Sequence, residues 1–142
     1  MKNLLILTLV VVLALIAFAP SVAASPPIPA SGHYEFAGSD FCDGVILSGT
    51  FEGSLVPLPN PTIPGFCGRS PSSQADAWQF TGTVEGVGSG TLVWNIVYIR
   101  PNGAGRWTII AGGGGDLVNV RGQGTFTFTT GGNYEGQLYI VP

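Results

Sequence analysis

The chain has 142 residues, of which 22 are glycine and 11 proline, and only 9% are charged, against roughly 25% in an ordinary soluble domain. That length suits one domain. So little charge excludes a long solvated helix, a coiled coil and a charge-driven disordered tail. A net charge of −3, with Lys2 as the only lysine, argues against a nucleic-acid partner.

Residues 1–24 read as a secretory signal peptide. Lys2 supplies the positive start, and residues 4–19 form an apolar run broken only by Thr8. Pro20 and Ser21 end the run, and Val22, Ala23 and Ala24 place small or modest side chains ahead of a cleavage site before Ser25. The run falls short of the roughly 20 residues that cross a bilayer. The expected location is therefore secreted or periplasmic, with no membrane partner for the mature chain. After Ala24 the cations are all arginines (Arg69, Arg100, Arg106 and Arg121).

Export implies an oxidising compartment, so the two cysteines, Cys42 and Cys67, are expected to form a disulfide. It would close a loop of about 26 residues, worth about 3.5 kcal/mol in the chain-entropy picture. That loop holds Pro57, Pro59, Pro61 and Pro64 and so cannot be a central strand. A redox pair or a metal site is disfavoured, because the spacing is not C-x-x-C and the lone histidine is not placed to complete a Cys/His set.

Residues 25–32 are proline-rich and expected to be an extended arm, with the folded domain spanning 33–142. Short runs of period two then follow. In 33–36, Tyr34 and Phe36 share a side. Residues 44–56 form a longer run with Gly49 and Gly53 inside it. In 77–85, Trp78, Phe80 and Val84 oppose Gln79, Thr81, Thr83 and Glu85. In 91–100, Leu92, Trp94, Ile96 and Tyr98 share a face, while Val93, Val97 and Ile99 suggest partial cover on the other. Pro101, Asn102 and Gly103 carry turn chemistry, so 91–111 reads as a hairpin that returns through Trp107 and Ile109. Phe126 and Phe128 share a face in 125–130. Gly131, Gly132 and Asn133 make another turn, and 134–141 closes the chain with Leu138 and Ile140 inward. The one candidate helical turn is 116–120.

Seven or eight antiparallel strands either close as a barrel or stack as a sandwich. Glycines inside strands, Gly49, Gly53, Gly82 and Gly136, favour the barrel, because a small closed sheet must bend sharply. The expectation is an all-β antiparallel barrel of about eight strands, with a β-sandwich as the alternative.

The run Gly112–Gly122, GGGGDLVNVRG, leads into a strand through Gln123, Gly124, Thr125 and Phe126. It resembles the glycine-rich signature of the dirigent and allene-oxide-cyclase-like barrels, with Gly112, Gly113, Gly115, Leu117, Arg121 and Gly122 in the matching places. The resemblance covers some 15 to 30 residues at the C-terminal end. It implies an eight-stranded antiparallel barrel, often a homo-oligomer, whose interior can accept a small apolar molecule and in plants steers a cyclisation or a radical coupling. From the residues themselves the run reads as structural: glycines permit crowded backbone, Leu117 can plug a barrel end, and Arg121 can tie carbonyls or an acidic partner there. A phosphate cradle is excluded by the missing Gly-Lys-Ser/Thr and the missing helix.

No catalytic group is assigned. His33 lacks a nucleophile motif around it. Asp40 and Asp43 lack a calcium-loop pattern, and Glu52, Glu85 and Glu135 each alternate with apolar neighbours and so should face solvent. No metal and no cofactor is implied. The aromatic set Trp78, Phe80, Trp94, Tyr98, Trp107, Phe126 and Phe128 is core by default, and becomes a ligand lining if the barrel keeps a cavity. Three functions follow: a non-catalytic barrel that binds a small apolar ligand or serves as a structural surface protein, a dirigent-like or allene-oxide-cyclase-like enzyme, and a secreted protein–protein interaction domain that uses the Cys42–Cys67 loop as its contact. The first needs a cavity without charges. The second needs an acid or arginine pointing inside, and the third a filled interior with an exposed apolar patch. Expressed with its leader in a secreting host, the exported protein should begin at Ser25 by intact mass; a retained Met1 would overturn the signal-peptide assignment.

Overall fold

Alternation of large apolar and polar side chains builds eight strands in the computed structural model, which describes residues 26–39, 41–59, 75–99, 103–127 and 131–142. They are β1 (Ile28–Phe36), β2 (Val45–Gly49), β3 (Phe51–Pro57), β4 (Ala75–Val84), β5 (Gly88–Ile99), β6 (Ala104–Gly115), β7 (Val120–Thr127) and β8 (Gly132–Ile140). Each pairs antiparallel with the next, and β1 pairs with β8, so the sheet closes into a barrel. Closure leaves no free sheet edge among the described strands. The barrel, and not the sandwich, is the fold. The signal segment 1–24, Cys67 and Phe128 lie outside the described residues.

The chain enters the barrel earlier than its proline content suggests. β1 starts at Ile28, within the stretch 25–32 expected to be an arm, and Ile28–Ser31 pairs with Leu138–Glu135 of β8. Pro29 is tolerated because β2 begins to pair with β1 only at Gly32. On that side no ladder asks for the missing N–H. The run 44–56 is likewise two strands, split by a sharp turn at Thr50. The Thr50 N–H donates to the Ser31 carbonyl at 3.0 Å, and the Thr50 hydroxyl accepts from the Ser31 N–H at 3.0 Å. One threonine thereby closes the corner where β2 ends.

The barrel has two unlike ends. At the hairpin end lie Thr50, the turn 85–87 and the turn 116–119. At the loop end lie the 3-10 turn Phe41–Asp43 and the connections that follow β3, β5 and β7. Residues 116–119 form a single turn rather than a helix, with the Val120 N–H donating to the Leu117 carbonyl at 3.0 Å. This turn seals the hairpin end. Leu117 is fully buried beneath it. The Asp116 N–H donates to the Ser89 carbonyl at 3.0 Å, and the Asp116 carboxylate accepts from the Ser89 N–H at 3.1 Å. Arg121 donates to the Val118 and Val120 carbonyls at 3.1 and 2.7 Å, which gives its guanidinium a structural use.

Inside, Phe51 is the hub of an aromatic cluster. Its ring centroid lies 5.6 Å from Phe80, 4.9 Å from Trp94, 5.9 Å from Trp107 and 5.6 Å from Tyr134. Most of these contacts are edge-on, the arrangement that ring quadrupoles favour. Trp107 fits because two facing positions carry no side chain: Gly124 and Gly136 are cross-strand partners, and a Cβ on either would stand within its indole. Leu92, Val84, Val120 and Leu138 fill the space toward the hairpin end and are fully buried.

Gly115 ends β6 with φ at +67°, a left-handed backbone, and a Cβ there would lie 2.7 Å from the Ser89 carbonyl oxygen. Gly115→Val should therefore destabilise the barrel by more than about 1 kcal/mol, read as a lowered midpoint in thermal unfolding. An unchanged midpoint would contradict the turn geometry.

Candidate functional site

Toward the loop end the packing loosens. A cavity of about 40 Å³ remains there. Its walls are the indoles of Trp78, Trp94 and Trp107 with the aliphatic side chains of Val45, Leu47, Leu55 and Ile96. Tyr34, Tyr98, Phe126 and Tyr134 complete the lining. Tyr98 and Phe126 are half-buried and meet edge to face at 5.6 Å; Tyr34 and Phe126 do the same at 6.2 Å. These rings come from β1, β5 and β7, so the lining exists only once the barrel has closed. At roughly 10–15 Å³ per water, the space holds a few waters, far less than the ~300–1,000 Å³ of a pocket for a drug-sized ligand.

Of the residues that the sequence marks for a ligand lining, Trp78, Trp94, Tyr98, Trp107 and Phe126 meet here. Phe80 does not line the cavity: it is fully buried in the cluster around Phe51. Phe128 lies outside the described residues. The lining also includes Tyr34, Val45, Leu47, Leu55, Ile96 and Tyr134, which sequence reading did not assign to it. Their inward alternation was legible, but which strands face one another across a barrel follows from closure and stagger.

Three side chains of the lining have their polar atoms tied to backbone. The Tyr34 hydroxyl donates to the Thr127 carbonyl at 2.6 Å. Trp107 Nε1–H donates to the Thr125 carbonyl at 3.2 Å. The Tyr134 hydroxyl donates to the Ser48 carbonyl at 3.0 Å and accepts from the Phe51 N–H at 3.0 Å. Among the described residues, the lining contains no carboxylate, lysine, arginine or histidine.

Charge sits on the outer wall. Glu52, Glu85, Arg106 and Glu135 are exposed. A surface depression of about 800 Å³ crosses β6, β7, β8 and β1, flanked by Arg106, Gln123, Glu135 and Gln137, and another of about 470 Å³ is flanked by Glu52 and Glu85. Both are larger than the interior cavity, but they are open to solvent and reflect the saddle of the sheet rather than an enclosed site. His33 lies on the exposed face of β1, with Nδ1 3.1 Å from Asn133 Oδ1 and Nε2 3.9 Å from the Glu35 carboxylate. Among the described residues no group of three His, Cys, Asp or Glu could hold a metal ion, and no helix is long and apolar enough to cross a membrane. The glycine run falls on the end of β6, the 116–119 turn and the start of β7, at the sealed end and away from the cavity.

Comparison with protein-family models, with curated proteins and with solved structures returns no match.

Burial pushes the Tyr134 hydroxyl above its ordinary pKa of 10.0, with the Phe51 N–H pulling the other way and the nearby Glu52 charge adding to the rise. Folding thus favours the protonated phenol. Its contribution to stability is whole below about pH 10 and is lost as the pH climbs from there through the raised folded-state value. Tyr134→Phe should cost about 1–3 kcal/mol near neutrality, because the Phe51 N–H is left without a partner. The variant should also lose less stability than the parent above about pH 10. Denaturant unfolding across that range checks both; identical alkaline slopes would refute the assignment.

Proposed function

We propose that this protein is a secreted, non-catalytic β-barrel that binds a small apolar molecule, or the apolar end of a larger one, in the aromatic cavity at its loop end. The observation that carries this reading is a cavity walled by three indoles and four aliphatic side chains, with no ionised group among the described residues that line it. Apolar walls with a few placed polar groups are the usual make-up of a small-molecule site. The cavity's volume limits the guest to a few heavy atoms unless Tyr98 and Phe126, both half-buried, turn aside.

Export and a Cys42–Cys67 disulfide belong to the same proposal. Cys42 lies in the turn Phe41–Asp43 at the loop end, where a disulfide would fasten the proline-rich segment between β3 and β4. Membership of the dirigent and allene-oxide-cyclase-like barrels is part of the proposal for ancestry, on the strength of the Gly112–Gly122 run. An enzyme's chemistry is not part of it. Glu52, Glu85 and Arg106 face solvent, and Arg121 is committed to backbone carbonyls. The nearly filled interior favours one second reading, a protein–protein interaction module, for which Ile46 and Val56 supply exposed apolar side chains on the paired strands β2 and β3.

Titration with small neutral apolar compounds, followed by tryptophan fluorescence, should give a saturable response. Val45→Phe, which fills the cavity from β2, should weaken binding by at least about tenfold while the barrel stays folded by near-ultraviolet circular dichroism; overpacking of this kind costs about 1–3 kcal/mol of stability. If no apolar compound gives a saturable response, the ligand reading fails and the interaction module takes its place.

A further inference from the structure

On the outer wall, β6, β7 and β8 carry two rows of polar side chains in cross-strand register. Arg106, Thr125 and Glu135 form one row, and Thr108, Gln123 and Gln137 form the next. All of them are exposed, and all line the open depression of about 800 Å³ that continues onto β1. Strands lie about 4.8 Å apart, so each row crosses roughly 10 Å of wall. The Gln137 side-chain oxygen accepts from the Tyr139 hydroxyl at 2.9 Å, which steadies that amide and leaves its N–H groups to donate. Among the described residues, no hydrogen bond or ion pair engages the side chains of Arg106, Thr108, Gln123, Thr125 or Glu135.

We infer that this trough binds a segment of an uncharged oligosaccharide or polysaccharide, independently of the interior cavity. Its chemistry selects against the other classes of partner. A peptide that adds as a strand needs a sheet edge, and the described strands leave none. A phosphate backbone or an acidic glycan needs an excess of cations, and in the trough Arg106 is offset by Glu135. An apolar guest would desolvate two rows of amides and hydroxyls without partnering them. A neutral sugar does partner them: each of its hydroxyls donates and accepts, as do the threonine hydroxyls and glutamine amides that face it. One such bond only replaces a bond to water and gains little. Affinity therefore requires several at once, and two rows held in register by the sheet supply several. The depression is open to solvent, which suits a chain that lies along it better than a single enclosed sugar.

The test uses the full mature protein. Cellohexaose, laminarihexaose, mannohexaose and chitohexaose are the neutral probes, and hexagalacturonate is the acidic control. Affinity is read by isothermal titration calorimetry, and the side-chain amide ¹H–¹⁵N resonances of Gln123 and Gln137 are followed in parallel. At least one neutral hexasaccharide should bind saturably and move both amides. The double variant Gln123→Ala, Gln137→Ala should bind it about tenfold or more weakly, the size of two neutral hydrogen bonds in a wet site, with its thermal midpoint close to the parent's because both residues are exposed. Val45→Phe, which fills the interior cavity, should leave saccharide binding unchanged. Should the double variant fail to fold, the amide shifts in the parent protein decide alone. The inference is overturned if no neutral hexasaccharide binds, if one binds without moving the two amides, or if hexagalacturonate binds as tightly.

Discussion

Where β2 stops after five residues, one hydroxyl joins the wall of the barrel. Tyr134, from β8, crosses to the corner after β2, donates to the Ser48 carbonyl and accepts from the Phe51 N–H. These two backbone groups flank the Thr50 corner, and unpaired in the interior they would each carry a desolvation cost. The residue held this way is Phe51, whose ring is the centre of the aromatic cluster. The last strand, the corner after β2 and the core are therefore linked through a single phenol. Its proton must stay on for the link to work in both directions, which ties the stability of the barrel to the Tyr134 ionisation.

Closure and filling depend on one another. A small barrel has little interior, and every inward side chain must fit against those from strands on the far side. Here three tryptophans and Phe51 take up that space, and backbone positions without side chains, Gly124 and Gly136, accommodate Trp107. The filling is uneven. Leu117, Val120, Val84 and Leu138 seal the hairpin end completely. At the loop end Tyr98 and Phe126 are only half-buried, and the residual cavity lies beside them. The chemistry of the molecule divides the same way. Exposed carboxylates and Arg106 stand on the outer face, while the cavity offers aromatic and aliphatic surface.

Much of the barrel was legible along the chain. Period-two runs placed Trp78, Phe80, Leu92, Trp94, Ile96, Trp107, Ile109 and Leu138 on inward faces, and all are buried. The GGGGDLVNVRG run read as a structural cap, and in the fold Leu117 plugs the end while Arg121 ties carbonyls beneath it. Prolines misled where they sat on a strand with a one-sided ladder: Pro29 marked an arm, yet β1 runs through it. The run 44–56 concealed a corner, because the threonine that makes it is an ordinary strand residue until Ser31 is opposite. The lining was half legible. Aromatic content suggested five of its members, but Phe80 and Tyr134 exchanged roles, one sinking into the core and the other reaching the cavity.

Local pattern alone determined strand character, side-chain facing and the glycine-rich turn, because period and left-handed backbone are properties of neighbouring residues. Tertiary structure decided the rest. That β1 meets β8 and that a hydroxyl from residue 134 serves the amide of residue 51 are facts about residues far apart in the chain. They arise from the stagger with which eight strands close, and no short window of sequence encodes that stagger.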